Sequence, residues 1–269
     1  MVWVFIGGGM SGILHRFFAH RAFKTSPAFA CVLGLLGTLG NQAGVLWWAS
    51  KHNRHHKFCD TPKDPHSWTH SSELYAWFGW IYFESKTDWQ FVAPVYKENW
   101  GLVALNELQP LVLLAWYAGL HATIGFDWAL WAIWVPSIIS LVGTLRFNLD
   151  FHPASHPDHS AEAKKEGACK GLDRGHWVGW LLGESNHDDH HKSSRRAHRP
   201  SLDLPYHLFL SPLAFAGIIW DLEPGLELNT KQTAMQGGWL PVFSYIPACV
   251  GIIMATVVFP VIVIVSTST

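Results

Sequence analysis

Residues 48–67 read WASKHNRHHKFCDTPKDPHS. Within them His52, His55 and His56 stand at i, i+3 and i+4, so a helix here puts three imidazoles on one face. The same H-x-x-H-H spacing returns at His187, His190 and His191. Two looser groups lie outside these. Asn148 and His152 are four apart at the end of an apolar run, and His15 and His20 are five apart near the N-terminus. Five positions carry a regular α-helix about 140° around its axis. His15 and His20 therefore align less well, unless the helix ends between them or each faces a different metal. Nine imidazoles exceed the ligand set of a structural or a catalytic zinc. Two metal ions with four or five ligands each would use them, and imidazole suits zinc, copper, iron and nickel. The Glu and Glu-x-x-His pattern of soluble di-iron bundles is absent. Asp150, Asp188, Asp189 and Glu184 lie close in sequence and are candidates to hold the rings from behind.

The surroundings of these clusters are apolar. Of 269 residues 49% are hydrophobic and 14% charged, where soluble domains carry about 25% charged residues. Sixteen Trp and sixteen Phe suit a chain that meets a bilayer interface. A net charge of −1 excludes a polybasic nucleic-acid binder. Cys31, Cys59, Cys169 and Cys249 form no C-x-x-C pair, so no zinc finger or iron–sulfur site is expected and the thiols read as buried or reduced. His66, His70, His121, His156, His159, His176, His198 and His207 lack cluster spacing and read as solvated or hydrogen-bonded rings.

Residues 2–14 are apolar and glycine-rich but short of the ~20 residues a membrane span needs. Residues 28–48 are long enough to span, yet they contain Asn41 and Gln42 and end in Trp47-Trp48; a helix lying in the interface is equally consistent. Residues 102–120 and 128–147 read as two spans joined by a short turn, Gly125 to Trp128. That turn carries no Lys or Arg, whereas Lys86, Lys97, Arg146, Lys164, Lys165, Lys170 and Arg174 flank the pair. The positive-inside rule puts the turn outside and the histidines on the cytoplasmic side. A charged loop follows at 153–176. Residues 239–265 are apolar and long enough to span, although interrupted by Pro241, Pro247 and Pro260. The expected fold is all-α and integral to the membrane, with helices below a polar cap. No internal repeat is visible beyond H-x-x-H-H.

In this order the clusters resemble those of the membrane fatty acid desaturases, closest to the acyl-CoA (stearoyl-CoA type) delta-9 branch. The segment from Gly12 to Lys24, GILHRFFAHRAFK, is similar to that branch's GxxxHRxxxHRxxK. Residues 48–67 are similar to WxxxHRxHHKxxDTxxDPH. Asn148 to His152 matches an NxxxH element in which His is a ligand and Asn acts through water. The third box here is GESNHDDHH from Gly183, against the usual GEGxHNxHH. The resemblance implies four transmembrane helices in two hairpins under a cytosolic helical cap that holds a histidine-rich di-iron site. Its ligands would be His15, His20, His52, His55, His56, Asn148, His152, His187, His190 and His191. Gln42, Trp48 and Thr144 would line the acyl tunnel, and 28–48 would be an interfacial helix of the cap. Residues 1–222 would form the desaturase domain and 223–269 an extension. Only fourteen residues precede His15, fewer than the family's full hairpin, which implies a partial gene product or a partner supplying the packing surface.

The implied activity is oxygen-dependent introduction of a cis double bond, at the delta-9 position, into an acyl chain carried on CoA or a membrane lipid. Two iron ions would carry the chemistry, because no side chain can oxidise an unactivated methylene. No haem domain, flavin motif or ferredoxin cysteine set is visible, so electrons come from outside: cytochrome b5 in the endoplasmic reticulum, or ferredoxin in a plastid or bacterial membrane. The basic run from Lys192 to Arg199 could dock an acidic donor or a CoA phosphate, or anchor the chain at the membrane. The alternatives are a histidine-box lipid hydroxylase and an inactive relative. A metal transporter predicts ligands at the bilayer midplane, whereas these flank the spans.

Overall fold

The computed structural model describes residues 4–154, 171–173, 177–200 and 202–223, and they are mostly helical. The C-terminal run 239–265, most of the 153–176 loop, and His156, His159 and His176 lie outside the described residues.

Helix α1, Val4–Ala19, is buried nearly all round and is wound as a π-helix. Its bonds run from residue i+5 back to i, as His20 N donates to His15 O at 3.0 Å. Helix α2, Pro27–Leu39, starts at Ser26, whose hydroxyl accepts from Phe29 N at 3.2 Å, with proline in its first turn; both are ordinary start signals. It stops at Gly40, and left-handed backbone at Asn41 and Ala43 follows (φ 59° and 62°). Thirteen residues are too few to span. The segment 28–48 is thus two helices, α2 and α3 (Val45–Phe58), and not one span. Val32, Leu35 and Leu36 of α2 are exposed while Leu33, Gly34 and Gly37 face inward. A Cβ on Gly34 would come within 2.7 Å of Leu102, and one on Gly37 within 3.1 Å of Ile13, Leu14 and Val45. Close packing of α1, α2, α3 and the Trp100–Glu107 helix depends on those two hydrogens. Ile13, Leu14, Phe17, Phe18, Leu33, Leu46 and Leu102 form the core they share.

Helix α4, Trp100–Glu107, and helix α5, Gln109–Ile124, meet at a bend of 74°. The expected span 102–120 is therefore broken. Leu108 leaves helical geometry, and Pro110, lacking an N–H, opens the next helix. The break has a use: buried Asn106 at the end of α4 accepts from Leu46 N (3.0 Å) and Trp47 N (2.7 Å) and so holds the first turn of α3. After Gly125 (φ 78°) the chain folds back as α6, Phe126–Phe151, with Tyr117 packed on Trp134 at 4.7 Å. At 26 residues α6 is about 39 Å long, enough to cross a bilayer, and it extends past both limits of the expected 128–147. Leu111 and Leu114 of α5 and Trp131 and Ile138 of α6 are exposed, the pattern of helices that meet lipid. A two-stranded antiparallel ribbon, Lys24–Thr25 with Ile219–Trp220, ties the end of the described chain to the region after α1.

Candidate metal centre

Four helical segments deliver the clustered histidines to one place. His15 lies in α1 and His20 just past its end; His52, His55 and His56 occupy the last turns of α3. His152 closes α6, and His187, His190 and His191 lie in α7, His187–Lys192. The π-winding of α1 settles the five-residue spacing. A π-turn closes from i to i+5, so His15 and His20 share a face and their rings lie 4.7 Å apart.

The rings sort into two nests. In the first, His20 Nε2 is 2.9 Å from His52 Nε2, which is 3.0 Å from His56 Nε2. His56 Nε2 is 2.9 Å from His190 Nε2, and that atom is 3.2 Å from His15 Nε2. In the second, the Nε2 atoms of His152, His187 and His191 form a closed triangle with sides of 2.9, 3.1 and 3.2 Å. His55 joins it, with ring centroids 4.9 Å from His152 and 5.5 Å from His191. Burial holds His20, His52, His56, His152, His190 and His191 well below the usual imidazole value and His187 at about 3; neighbouring imidazoles add to this for most of them, and Arg199 for His190. The rings are therefore neutral, each with one N–H and one lone pair. Three mutual contacts among three such nitrogens cannot all be donor–acceptor pairs. At least one side of the triangle must set like against like, unless a cation takes the lone pairs. The donor set, neutral imidazoles alone, fits a borderline transition metal.

Carboxylates hold two parts of this arrangement. Asp64 Oδ2 lies 3.0 Å from His55 Nδ1 and also accepts from Asp60 N at 2.9 Å, while Oδ1 accepts from His66 N at 3.1 Å. Burial works against the Asp64 charge, but His55 and His66 hold its carboxyl down at about 2. His55 is in turn raised: burial opposes its charge and Asp64 outweighs that. Glu184 Oε1 lies 3.3 Å from His15 Nδ1 and 3.2 Å from Arg199 Nε. Its burial is outweighed by Arg199, His15 and Arg16, which keep it ionised.

Sequence reasoning named Glu184 but missed Asp64, although Asp64 stands in the quoted stretch two residues before His66. Asp188, Asp189 and Asp150 instead meet cations: Asp188 pairs with Lys192 (2.6 Å), Asp189 with Arg196 (2.9 Å) and Asp150 with Arg146 (3.1 Å). The basic run is largely engaged within the fold, since Arg195 pairs with Glu223 and Arg199 is buried. His66, expected as a solvated or hydrogen-bonded ring, is buried and stacks on His55 at 4.5 Å. Cys59, expected as a thiol, is disulfide-bonded, with its partner outside the described residues.

An apolar cavity opens beside the nests, walled by Met10, Trp80, Leu145, Phe147 and Leu182 and reached by His15, His52, His55 and His187. Gln42, Trp48 and Thr144 line it as one chain. Trp48 Nε1 donates to Gln42 Oε1 (3.2 Å), Gln42 Nε2 to Thr144 Oγ1 (3.3 Å), and Thr144 Oγ1 to Ser140 O (2.8 Å). Trp48 also stacks on His52 at 4.9 Å. Asn148 lines the same cavity, one turn before His152.

Residues 1–208 match the family model for fatty acid desaturase. The chain is 28% identical over 198 residues to the sn-1 stearoyl-lipid 9-desaturase of Synechocystis sp. (strain ATCC 27184 / PCC 6803 / Kazusa), covering 71% of this chain and 59% of that one. It is 50% identical over 66 residues to the hex-5-enoyl-[acyl-carrier protein] acetylenase of Moorena producens (strain JHB), 24% of this chain and 21% of the relative. It is 35% identical over 82 residues to the acyl-CoA Delta-9 desaturase of Acheta domesticus, 30% and 23% of the two chains. The matched regions thus span between 21% and 59% of these three relatives. The family match runs through every segment that supplies a clustered imidazole, and the chain belongs to the fatty acid desaturase family.

Proposed function

We propose that this protein is an oxygen-dependent acyl desaturase that places a cis double bond, at the delta-9 position, in a saturated chain lying in the cavity beside the histidine nests. The observation that carries the reading is the closed His152–His187–His191 triangle, which hydrogen bonding alone cannot satisfy. His15, His20, His52, His56 and His190 would hold one iron ion. His55, His152, His187 and His191 would hold a second, with Asn148 beside them. When bound, the iron pair supplies, with O2 and two external electrons, the oxidising power to remove two hydrogens from adjacent unactivated carbons.

The chain's own residues do the rest. Asp64 accepts the Nδ1 proton of His55 and leaves its Nε2 lone pair facing inward. Met10, Leu145, Phe147 and Leu182 give the substrate a dry wall. The Trp48–Gln42–Thr144 chain crosses this wall with its polar atoms already bonded to one another, so it sets the shape of the cavity without competing for water. Which methylenes react is then a matter of where that shape puts them.

The remaining readings rest on the family. Residues 1–222 act as the desaturase domain, in helical hairpins within the membrane and under a cytosolic cap. The substrate is an acyl-CoA or an acyl lipid, and the donor is cytochrome b5 or ferredoxin. The location is the endoplasmic reticulum with the site facing the cytosol, or else a plastid or bacterial membrane. Expression in a yeast strain lacking its own desaturase, with fatty-acid profiling and location of the double bond, tests the activity. A monounsaturated product that disappears with His187→Ala is expected. A hydroxylated product without any alkene would overturn the reading in favour of a hydroxylase.

A further inference from the structure

We infer that Glu184 is a positioning residue that ties the first histidine cluster to the third, by accepting the Nδ1 protons of His15 and His190 so that both rings turn Nε2 toward the same ion. The inference rests on the two-iron reading above and adds a device to it.

Glu184 is buried and reaches both rings: Oε1 is 3.3 Å from His15 Nδ1 and Oε2 is 3.6 Å from His190 Nδ1. Among the described residues, neither His15 Nδ1 nor Glu184 Oε2 has a hydrogen-bond partner, although both are fully enclosed. Two unsatisfied buried atoms on facing groups are costly and call for a state that satisfies them. His190 indicates that state. Arg199 Nη2 lies 2.7 Å from His190 Nδ1. A guanidinium can only donate, so this contact needs a lone pair on Nδ1 and leaves the single proton on Nε2. Ligation through Nε2 needs the opposite tautomer. Its Nδ1–H would face a donor in Arg199 and find its acceptor in Glu184 Oε2. The carboxylate is thus poised for the ligating tautomer of one ring and already beside the other.

The carboxylate is itself fixed by a buried set of charges. Arg199 Nε is 3.2 Å away and Arg16 Nη2 3.7 Å away, and Arg16 is paired with Asp203 at 2.8 Å. Gly183 makes room for this. It holds a left-handed φ of 67°, and a Cβ there would sit 2.5 Å from Asp203 Oδ1 and 2.7 Å from Arg16 Nη2. Arg16 is the neighbour of His15 in α1, and Arg199 reaches back to α7. The same three side chains that fix the carboxylate, Arg16, Arg199 and Asp203, therefore also join the two helices.

The test uses the full chain purified in detergent and loaded with 57Fe, read by iron content, chelator competition and Mössbauer spectroscopy. Glu184→Gln keeps the shape and removes the charge. It should weaken one iron about 10–100-fold, so that near one iron remains per chain and one of two Mössbauer components is lost. Gly37→Val is the comparison, because Gly37 packs α2 against Ile13, Leu14 and Val45 on a helix that carries none of the clustered histidines; it should unfold earlier yet keep both irons. Should Glu184→Gln fail to fold, Glu184→Asp decides. With the charge one methylene further back, one iron should leave to chelator well before the other. Two irons of unaltered affinity in the folded Gln or the Asp variant overturn the inference alone. Equal loss of iron in Gly37→Val also overturns it, by making the effect one of general packing. A wild-type chain without iron overturns the two-iron reading and this inference together.

Discussion

At the scale of single residues, the histidines are ordinary and their neighbours decide what they can do. Asp64 reaches the nests through His55 and also accepts from Asp60 N and His66 N, so Asp64→Asn should lower iron affinity about 10–100-fold, measured by chelator competition. Gln42→Ala acts on the other side of the cavity. It removes the acceptor of Trp48 Nε1 and the donor to Thr144 without touching a nest. Iron content should stay at the wild-type value while the product mixture broadens in double-bond position, read by mass spectrometry of the product esters. A loss of iron in that variant would mean that Gln42 supports the metal site instead of the cavity. Six of the nine clustered histidines were legible in the sequence because residues at i, i+3 and i+4 share a helix face; His15 and His20, five apart, were legible only as a looser pair. Asp64 was not, because its contact with His55 is made by the loop that folds back after Cys59, and spacing carries no trace of that return. Glu184 was within reach only as a neighbour in sequence; its link to His15 crosses the fold.

At the scale of elements, local winding and breaks place the site. A regular α-helix would have turned His15 away from His20, and the π-wound α1 is what reconciles them. No residue in GILHRFFAHRAFK announces that winding; burial on all sides of α1 lets tertiary packing choose it. Similarly, hydropathy reads 102–120 as one span because Leu108 and Pro110 are both apolar, while the bend sets the end of α4 against the first turn of α3, which Asn106 holds. Asn106→Leu removes the acceptor of two buried N–H groups. It should cost about 2–6 kcal/mol at about 1–3 kcal/mol for each unsatisfied group, seen as a lowered unfolding midpoint, and should loosen α3 with its three histidines. Gly37→Val should also destabilise, by about 1–3 kcal/mol, because its Cβ would already meet Ile13, Leu14 and Val45 at 3.1 Å. An unchanged midpoint for Gly37→Val would show that α2 can move off α1 freely.

At the scale of the whole molecule, apolar helices and a polar site divide the labour. The exposed Leu111, Leu114, Trp131 and Ile138 belong to helices that suit lipid, and the nests gather where α1, α3, α6 and α7 converge. That division was legible in the sequence from the alternation of apolar runs and histidine clusters. The pairing of clusters into nests was not, because His190 completes the first nest and His55 the second, so each H-x-x-H-H cluster serves both. The central claim is that these imidazoles form two metal sites that share their helices. Its most direct test is the count of iron per chain after anaerobic loading with Fe(II), for the wild type and for His187→Ala, which opens the triangle of the second nest only. The account predicts about two irons in the wild type and about one in the variant. One iron or fewer in the wild type, or an unchanged count in His187→Ala, would contradict it.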